Sequence, residues 1–246
     1  MVDRFLTIRD CVPGIGLQSR SSTPGAEMLL VENFIDFYCS RFLRVHKTQN
    51  LALFVEPKLE SGFPDIVFAH YAPSFADSSW TEVRGELNTG DLKVLSFLIQ
   101  TGGSSGANVV SKLRLPECQA LRSLEKLLDS KWISRADRRW MPSGLRRNFG
   151  LNKLVAVEAK INAIGKVTAQ AMANVWFASH SYALTDTLKP RQTTLDSLSK
   201  LGVGLYCKGK VFRKALDSRE RPLPSSYASL LFNEWVAKDL LRRKAV

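Results

Sequence analysis

The sequence predicts an α/β protein whose chain is interrupted by a mostly helical module. Toward both ends, short runs of apolar, β-prone residues alternate with longer segments in which apolar residues recur at helical spacing. The middle of the chain, residues 86–147, differs because three short helical patterns are followed by two short strand patterns. With 246 residues and 45% apolar content, the chain is long enough for one large domain and a smaller module.

The first part of the chain predicts an irregular arm, a long helix and a hairpin. Residues 1–26 are rich in glycine, proline and serine and are expected to be irregular, apart from a short strand near 4–9. Apolar residues at helical spacing predict an amphipathic helix over 26–44. The apolar runs at 51–55 and 64–71, separated by a Ser-Gly turn, predict two antiparallel strands.

The middle segment predicts three helices and a hairpin. Helical patterns cover 91–100, 105–113 and 116–128, the last with proline in its first turn. Strand patterns at 131–135 and 139–142 flank a tight turn. This order of elements resembles a winged helix-turn-helix, which is a DNA-binding module. A helical subdomain that only supports the core is the alternative.

The rest of the chain predicts a return to the α/β pattern. The nearly continuous apolar run at 153–159 predicts a strand at the buried centre of a sheet. A helix is predicted over 165–181, a further strand over 201–206 and a closing helix over 226–244.

The net charge of +12 is concentrated in two segments. Residues 90–147 contain 11 Lys or Arg against 5 Asp or Glu, residues 207–246 contain 10 against 4, and the rest of the chain sums to zero. A basic surplus of this kind favours a polyanionic partner, because neutralised phosphates release condensed counterions. DNA is the expected partner, and a basic surface that only aids solubility is the alternative.

Cysteine usage and hydropathy exclude several protein classes. Cys11, Cys39, Cys118 and Cys207 are far apart and form no CxxC pair, which favours reduced thiols in a cytoplasmic protein over a disulfide framework or a zinc site. No apolar run approaches the roughly 18 residues of a membrane span, and the N-terminus lacks the apolar region of a secretory signal. No membrane partner is expected.

Acidic residues interrupt two of the apolar strand patterns. Asp65 follows Pro64 at the start of one strand, and Glu158 lies within another, two residues before Lys160. A buried carboxylate without a partner is costly, and a divalent metal ion is a natural partner. Carboxylate oxygens suit Mg²⁺ or Mn²⁺. Because residues 158 and 160 point to the same face of a strand, Lys160 is expected beside the metal.

The pair Pro-Asp at 64–65, a variable gap and Glu-x-Lys at 158–160 resemble the active-site signature of the PD-(D/E)XK nuclease superfamily. The resemblance covers about 27–71 and 151–206. It implies a restriction-endonuclease-like core, in which a mixed central sheet is flanked by helices, with an inserted winged-helix subdomain. The predicted domains are an irregular N-terminal arm at 1–26, a discontinuous nuclease core at 27–85 and 148–246, and a winged-helix-like module at 86–147.

The resemblance also implies roles for individual residues. The two carboxylates would ligate Mg²⁺ or Mn²⁺ together with the backbone carbonyl of Ala159. Lys160 would orient or help to deprotonate the attacking water and offset charge on the scissile phosphate. Glu32, on the first helix, matches an acidic residue with which some relatives hold a metal-bound water. Gln170 would contact substrate or position the lysine.

Polar side chains of the module form a candidate DNA-binding surface. Those on its third helix, among which Ser123 is expected to face outward, would read base edges in the major groove, and arginines of the wing would contact phosphates. A solvated charged face is the alternative. The candidate residues are Gln119, Arg122, Lys126, Arg135, Arg138, Arg139, Arg146 and Arg147.

These patterns predict a Mg²⁺-dependent DNA endonuclease that hydrolyses phosphodiester bonds while the module positions duplex DNA. Cutting both strands would need a second active site, so a homodimer or a larger nucleoprotein complex is expected. One alternative is a non-catalytic DNA-binding regulator, a second is a nuclease subunit active only within a larger complex, and a third is an RNA nuclease.

Overall fold

The chain divides into two units, each built from two separate segments of the sequence. The computed structural model describes residues 4–21, 23–73 and 80–244. The first unit comprises Met1–Pro73 and Leu151–Ser225, and the second unit comprises Ser74–Gly150 and Ser226–Val246. The predicted boundaries differ from this division, because they separated an arm at 1–26 and assigned all of 148–246 to the core.

Strands and helices alternate in the first unit, and the second unit is mainly helical. In chain order the strands are β1 (Phe5–Ile8), β2 (Asn50–Val55), β3 (Ile66–Tyr71), β4 (Ser104–Ser105), β5 (Ile133–Ala136), β6 (Arg139–Pro142), β7 (Leu151–Lys160), β8 (His180–Thr185), β9 (Gly204–Lys208) and β10 (Phe212–Leu216). The helices are α1 (Ala26–Val45), α2 (Glu82–Gly85), α3 (Thr89–Thr101), α4 (Gly106–Leu113), α5 (Glu117–Asp129), α6 (Leu145–Asn148), α7 (Ile164–Ala173), α8 (Gln192–Leu201) and α9 (Tyr227–Lys244).

The first unit is built on a seven-stranded mixed sheet in the order β1-β2-β3-β7-β8-β9-β10. The central strands β3 and β7 are antiparallel, whereas β7, β8 and β9 run parallel and are joined through α7 and α8. A parallel connection needs a crossover, and a helix supplies it. The sheet flanked by helices confirms the predicted α/β class.

Helices cover both faces of this sheet. On one face, Phe34 and Leu30 of α1 are buried against Phe68 of β3 and Val157 of β7. On the other face, α7 contributes Val167 to a second cluster with residues of β8 and β9. All residues of β2 and β3 are buried, which explains their continuous apolar sequences.

The second unit packs α3, α4 and α5 around one apolar cluster that includes Leu95, Val109, Leu124 and Trp132. A three-stranded sheet in the order β4-β6-β5 completes it. The start of α3 is capped, because Asn88 and Asp91 form a reciprocal capping box there. The tight turn between β5 and β6 places two residues at positive φ.

A fully buried ion pair ties α9 into the second unit. The Arg84 guanidinium donates hydrogen bonds of 2.9 and 2.8 Å to the Glu234 carboxylate and one of 2.8 Å to the backbone carbonyl of Asn148. Both charged side chains are only 1% exposed. Asn233 donates a further hydrogen bond to Glu234. This network explains why the closing helix groups with the second unit and not with the predicted core.

Most predicted elements are present with small shifts in their ends. The hairpin of β2 and β3, helix α1, helices α3 to α5, the hairpin of β5 and β6, strand β7 and helix α9 all occur where their patterns predict them. The arm contains the predicted strand β1, which pairs parallel with β2. Across the described ranges, no helix has the length and hydropathy needed to cross a membrane.

The region after β7 differs from the prediction. The helix predicted to reach residue 181 ends at Ala173, and β8 begins at His180. Strand β8 was missed because it carries polar residues, and Ser181 is buried only because its hydroxyl donates to the Ala171 carbonyl at 2.6 Å. Helix α8 and strand β10 were also missed, and the strand predicted from 201 begins at Gly204.

Removing one partner of the buried ion pair should strongly destabilise the second unit. We expect Arg84→Met or Glu234→Leu to lower the free energy of unfolding by about 3–5 kcal/mol, because the remaining charge would be buried without its counter-charge. Urea denaturation measures this loss. The control Arg122→Met removes an exposed arginine and should change stability by less than about 0.5 kcal/mol. Equal stability of the Arg84 and Arg122 variants would contradict a structural role for the pair.

Candidate active site

Two carboxylates face each other where β3 and β7 pair. Ile66 is the register partner of Val157, and continuing the antiparallel register by one residue sets Asp65 opposite Glu158. Directly opposed residues lie on the same face of a sheet, with Cβ atoms roughly 5 Å apart. The Ala159 N–H donates a hydrogen bond of 2.7 Å to Asp65 Oδ2. Residues 93 positions apart therefore form one acidic pair, as predicted.

Glu158 is a buried acid with one satisfied oxygen. It is 3% exposed, and the Asn174 side chain donates a 2.7 Å hydrogen bond to its Oε1. Its Oε2 is buried and has no hydrogen-bond partner. Burial, together with the nearby charge of Asp65, raises the pKa of Glu158 to about 8, although Asn174 and Lys160 oppose the shift. An unpartnered carboxylate oxygen at this depth indicates a site that can accept a cation or a proton.

Asp65 shares this environment. Burial raises the pKa of Asp65 above its ordinary value, while the Ala159 N–H and the charges of Lys160 and Arg20 act in the opposite direction. Glu56, just after β2, adds to the increase. Its own carboxylate forms an ion pair with Arg20. Burial is therefore the main cause of the raised pKa of both opposed acids.

Lys160 is held by a carboxylate that the sequence did not reveal. Its Nζ donates a 2.6 Å hydrogen bond to Oε2 of Glu27, in the first turn of α1. Burial lowers the pKa of Lys160, but the hydrogen bond to Glu27 and the charges of the acidic pair outweigh burial and leave the pKa above its ordinary value. An ammonium group with a raised pKa acts by its charge. This state differs from the predicted option that Lys160 helps to deprotonate water.

These side chains border two cavities of about 220 and 350 Å³. Arg20, Asp65 and Lys160 line both of them. The smaller cavity is also lined by Glu27 and Glu56. The larger cavity is also lined by Glu158, Gln170 and Asn174. The predicted set Asp65, Glu158, Lys160 and Gln170 therefore meets at one place in the first unit.

Glu32 lies elsewhere, which differs from its predicted role as a metal ligand. It forms an ion pair with Arg9, in which Arg9 Nη2 lies 3.0 Å from Glu32 Oε2. The carboxylate of α1 that reaches Lys160 is Glu27, five positions earlier and therefore on a different side of the helix. Sequence reasoning also missed Arg20 and Asn174, whose positions depend on tertiary contacts.

The candidate DNA-binding residues occupy the second unit, and most of them are exposed. Gln119 and Arg122 on α5, and Arg138, Arg146 and Arg147, are exposed. Arg135 and Arg139 are exposed and also make intramolecular contacts, Arg135 with the Trp140 ring and Arg139 with the carbonyl of Gly103.

Two predictions for α5 need adjustment. Ser123 is buried, and its hydroxyl donates a 2.6 Å hydrogen bond to Asp91 Oδ1, so the predicted outward orientation is wrong. Lys126 lies 3.9 Å from Asp91 Oδ2 and is partly covered. The outward face of α5 is therefore narrower than predicted.

Searches against protein-family models, curated proteins and solved structures found no match to this chain. Within residues 4–21, 23–73 and 80–244, no group of three or more His, Cys, Asp or Glu side chains is placed to hold a metal ion.

The raised pKa of Glu158 predicts a pH-dependent stability difference between the wild type and Glu158→Gln. Between pH 4.5, the ordinary pKa, and about 8, the folded chain retains a proton that the unfolded chain has released. The wild type should therefore lose stability relative to the variant as pH rises through this window, by a few kcal/mol in order of magnitude, and no further above it. Urea denaturation from pH 4 to 9 measures the difference. Asp36→Asn, an exposed carboxylate of α1, is the control. A difference that is constant with pH would contradict the buried, protonated state.

Proposed function

We propose that the chain is a metal-dependent DNA endonuclease of the PD-(D/E)XK type, with a winged-helix-like second unit that binds duplex DNA. One observation carries this proposal. The buried, unpartnered Oε2 of Glu158 lies beside Asp65 in a cavity that Lys160 and Gln170 also line. A chain that binds a polyanion and holds a metal ion with such an acidic pair is suited to phosphodiester hydrolysis. Cleavage of both strands would then require a homodimer or a larger nucleoprotein complex.

The donor set fits Mg²⁺ or Mn²⁺. Both ions prefer oxygen ligands and retain water when only one or two carboxylates bind them. Asp65 and Glu158 would hold the ion, with the backbone carbonyl of Ala159 as a third protein ligand. A cation would partner the free Oε2 and favour the ionised form of both acids, whose pKa values are raised mainly by burial. When bound, a divalent metal ion supplies a polarised water as nucleophile and neutralises charge on the phosphate.

The residues around the pair have roles that follow from their contacts. Asn174 fixes one oxygen of Glu158 through its 2.7 Å hydrogen bond and leaves the other oxygen free. The Lys160 ammonium stabilises the negative charge that develops on the phosphate, and Glu27 positions it. Arg20 lines both cavities and can pair with a phosphate oxygen. The Gln170 amide can donate a hydrogen bond to the substrate or accept one from it.

The order of elements in both units supports the proposal. Without the inserted segment, α1, β2, β3, β7, α7 and β8 follow one another in the first unit, with β1 before them and α8, β9 and β10 after them. Helix, three strands, helix and strand is the order that the resemblance implies for the core. In the second unit, α3, β4, α4, α5, β5 and β6 follow one another, and β4 pairs with β6. That arrangement is like a winged helix, with α5 in the position of the recognition helix.

Neutralising the proposed catalytic residues should abolish cleavage without abolishing DNA binding. We expect Asp65→Asn, Glu158→Gln and Lys160→Met each to slow nicking of supercoiled plasmid in Mg²⁺ or Mn²⁺ by roughly 10²-fold or more, because each removes charge at the reacting phosphate. The matched controls are Asp36→Asn, on α1, and Lys47→Met, just beyond the end of α1. Both variants should cleave the plasmid at the wild-type rate. Full activity in any of the three variants would contradict the site.

A second readout separates the metal site from the reaction. At pH 8, Mn²⁺ should raise the thermal unfolding temperature of the wild type and of Lys160→Met, but not of Glu158→Gln. If the wild type binds DNA and Mn²⁺ but cuts neither DNA nor RNA, the chain lacks the proposed activity on its own. Tight DNA binding without any metal response would favour the non-catalytic regulator.

Phosphate contacts by the second unit should appear in the salt dependence of DNA binding. Arg138→Ala combined with Arg146→Ala should weaken binding and reduce the slope of log K against log salt by about 2, because each lost phosphate contact removes about 0.9. Fluorescence anisotropy across a salt series measures the slope. Lys47→Ala combined with Lys200→Ala removes two exposed lysines of the first unit and should leave the slope unchanged. An unaltered slope in the arginine variant would show that this surface does not contact DNA phosphates.

A further inference from the structure

A third cavity lies along the same two central strands, away from the acidic pair. Its volume is about 180 Å³, and its lining includes His70 of β3 and Lys153 of β7, which are register partners. Both are five positions from Asp65 and Glu158, which corresponds to roughly 17 Å along the strands. The cavity belongs entirely to the first unit and contains none of the proposed catalytic residues.

Two cations of this cavity have no counter-charge in direct contact. Lys153 is half-buried, and no hydrogen bond or ion pair joins it to another described residue. Burial lowers the pKa of Lys153, because its ammonium group loses water without gaining an ionic partner. Arg41 of α1 is exposed and has no ion pair among the described residues. Lys214, also in the lining, is already paired with Asp217.

Uncharged hydrogen-bonding groups complete the lining. His70 is 2% exposed, its Nε2 lies 2.9 Å from the Tyr38 hydroxyl, and its Nδ1 is buried without a partner. Tyr182 and Tyr206 also line the cavity, and their hydroxyls make no hydrogen bond within the described part of the chain. A buried imidazole nitrogen without a partner is unusual and costs free energy. In the tautomer in which the Tyr38 hydroxyl donates to Nε2, Nδ1 carries the proton, and a ligand that accepts hydrogen bonds would satisfy it and the two tyrosine hydroxyls.

We propose that this cavity binds a phosphate group, either inorganic phosphate or the phosphate of a nucleoside monophosphate. The two unpaired cations match a phosphate charge of about −1.5 to −2 at neutral pH, whereas a carboxylate carries only −1. Three terminal oxygens can use the guanidinium, ammonium and tyrosine donors together. Glu220 and Asp217, whose charges act on Lys153, weaken the attraction without occupying the cavity lining.

Calorimetric titration of the whole chain at constant ionic strength tests the proposal with three probes: inorganic phosphate, adenosine monophosphate and adenosine. Phosphate or the monophosphate should bind, and adenosine should not. Lys153→Met should weaken phosphate binding at least about tenfold, because a charge-assisted hydrogen bond is lost. Lys200→Met, an exposed lysine of α8, should bind as the wild type does. Lys153→Met should remain as stable as the wild type, since methionine replaces a half-buried ammonium that has no partner.

Each outcome decides the proposal. Tighter binding of the monophosphate than of phosphate supports the nucleotide as the source, and equal binding supports free phosphate. Adenosine binding as tightly as the monophosphate would overturn recognition of the phosphate group. Absence of phosphate binding to the wild type, or unchanged binding to a folded Lys153→Met variant, would overturn the site itself. Phosphate should also raise the unfolding temperature of the wild type and of Lys200→Met, but not of Lys153→Met.

Discussion

The antiparallel register between β3 and β7 is the constraint on which the rest of the candidate site depends. It joins two parts of the chain that are separated by the longer segment of the second unit, Ser74–Gly150, and it sets Asp65 opposite Glu158. A slip of one residue would turn the side chains of one strand to the other face and separate the two acids. The register is secured by apolar residues on both faces, because Ile66 and Phe68 pack with α1 while their strand is buried throughout. The geometry of the site is therefore a consequence of hydrophobic packing.

The same packing makes the acidic pair costly. Burial raises the pKa values of both carboxylates, and the charge of Asp65 adds to the increase for Glu158. The surroundings offset only part of the cost, through Asn174, the Ala159 N–H and the nearby cations. Lys160 in turn is held by Glu27 and keeps its charge. The site is therefore destabilised when neither a proton nor a cation is bound to the acids, and this favours the binding of one or the other.

Sequence reasoning succeeded where burial leaves a visible pattern. The apolar runs of β2, β3 and β7 predicted strands, and the charges within them predicted Asp65 and Glu158, because a carboxylate in an apolar run is conspicuous. It failed where polar residues are buried with partners from distant elements. In strand β8, Ser181 is buried because its hydroxyl donates a hydrogen bond to a carbonyl of α7. Glu27, Arg20 and Asn174 reach the site from positions whose sequence pattern is that of an ordinary surface. Helix α9 has an apolar pattern that predicts a helix, yet the unit to which it belongs follows from tertiary contacts such as that of Glu234 with Arg84.

The ion pair between Arg84 and Glu234 has a consequence for the order in which the protein can mature during synthesis. The two residues are 150 positions apart, so the arginine leaves the ribosome long before its partner exists. Until then its guanidinium cannot be buried without a large penalty. Helices α3 to α5 can form earlier, but the second unit reaches its final packing only when α9 has been translated. A nascent chain would thus complete the second unit only after the first, and a chain terminated before α9 would expose an incomplete core to chaperones and proteases.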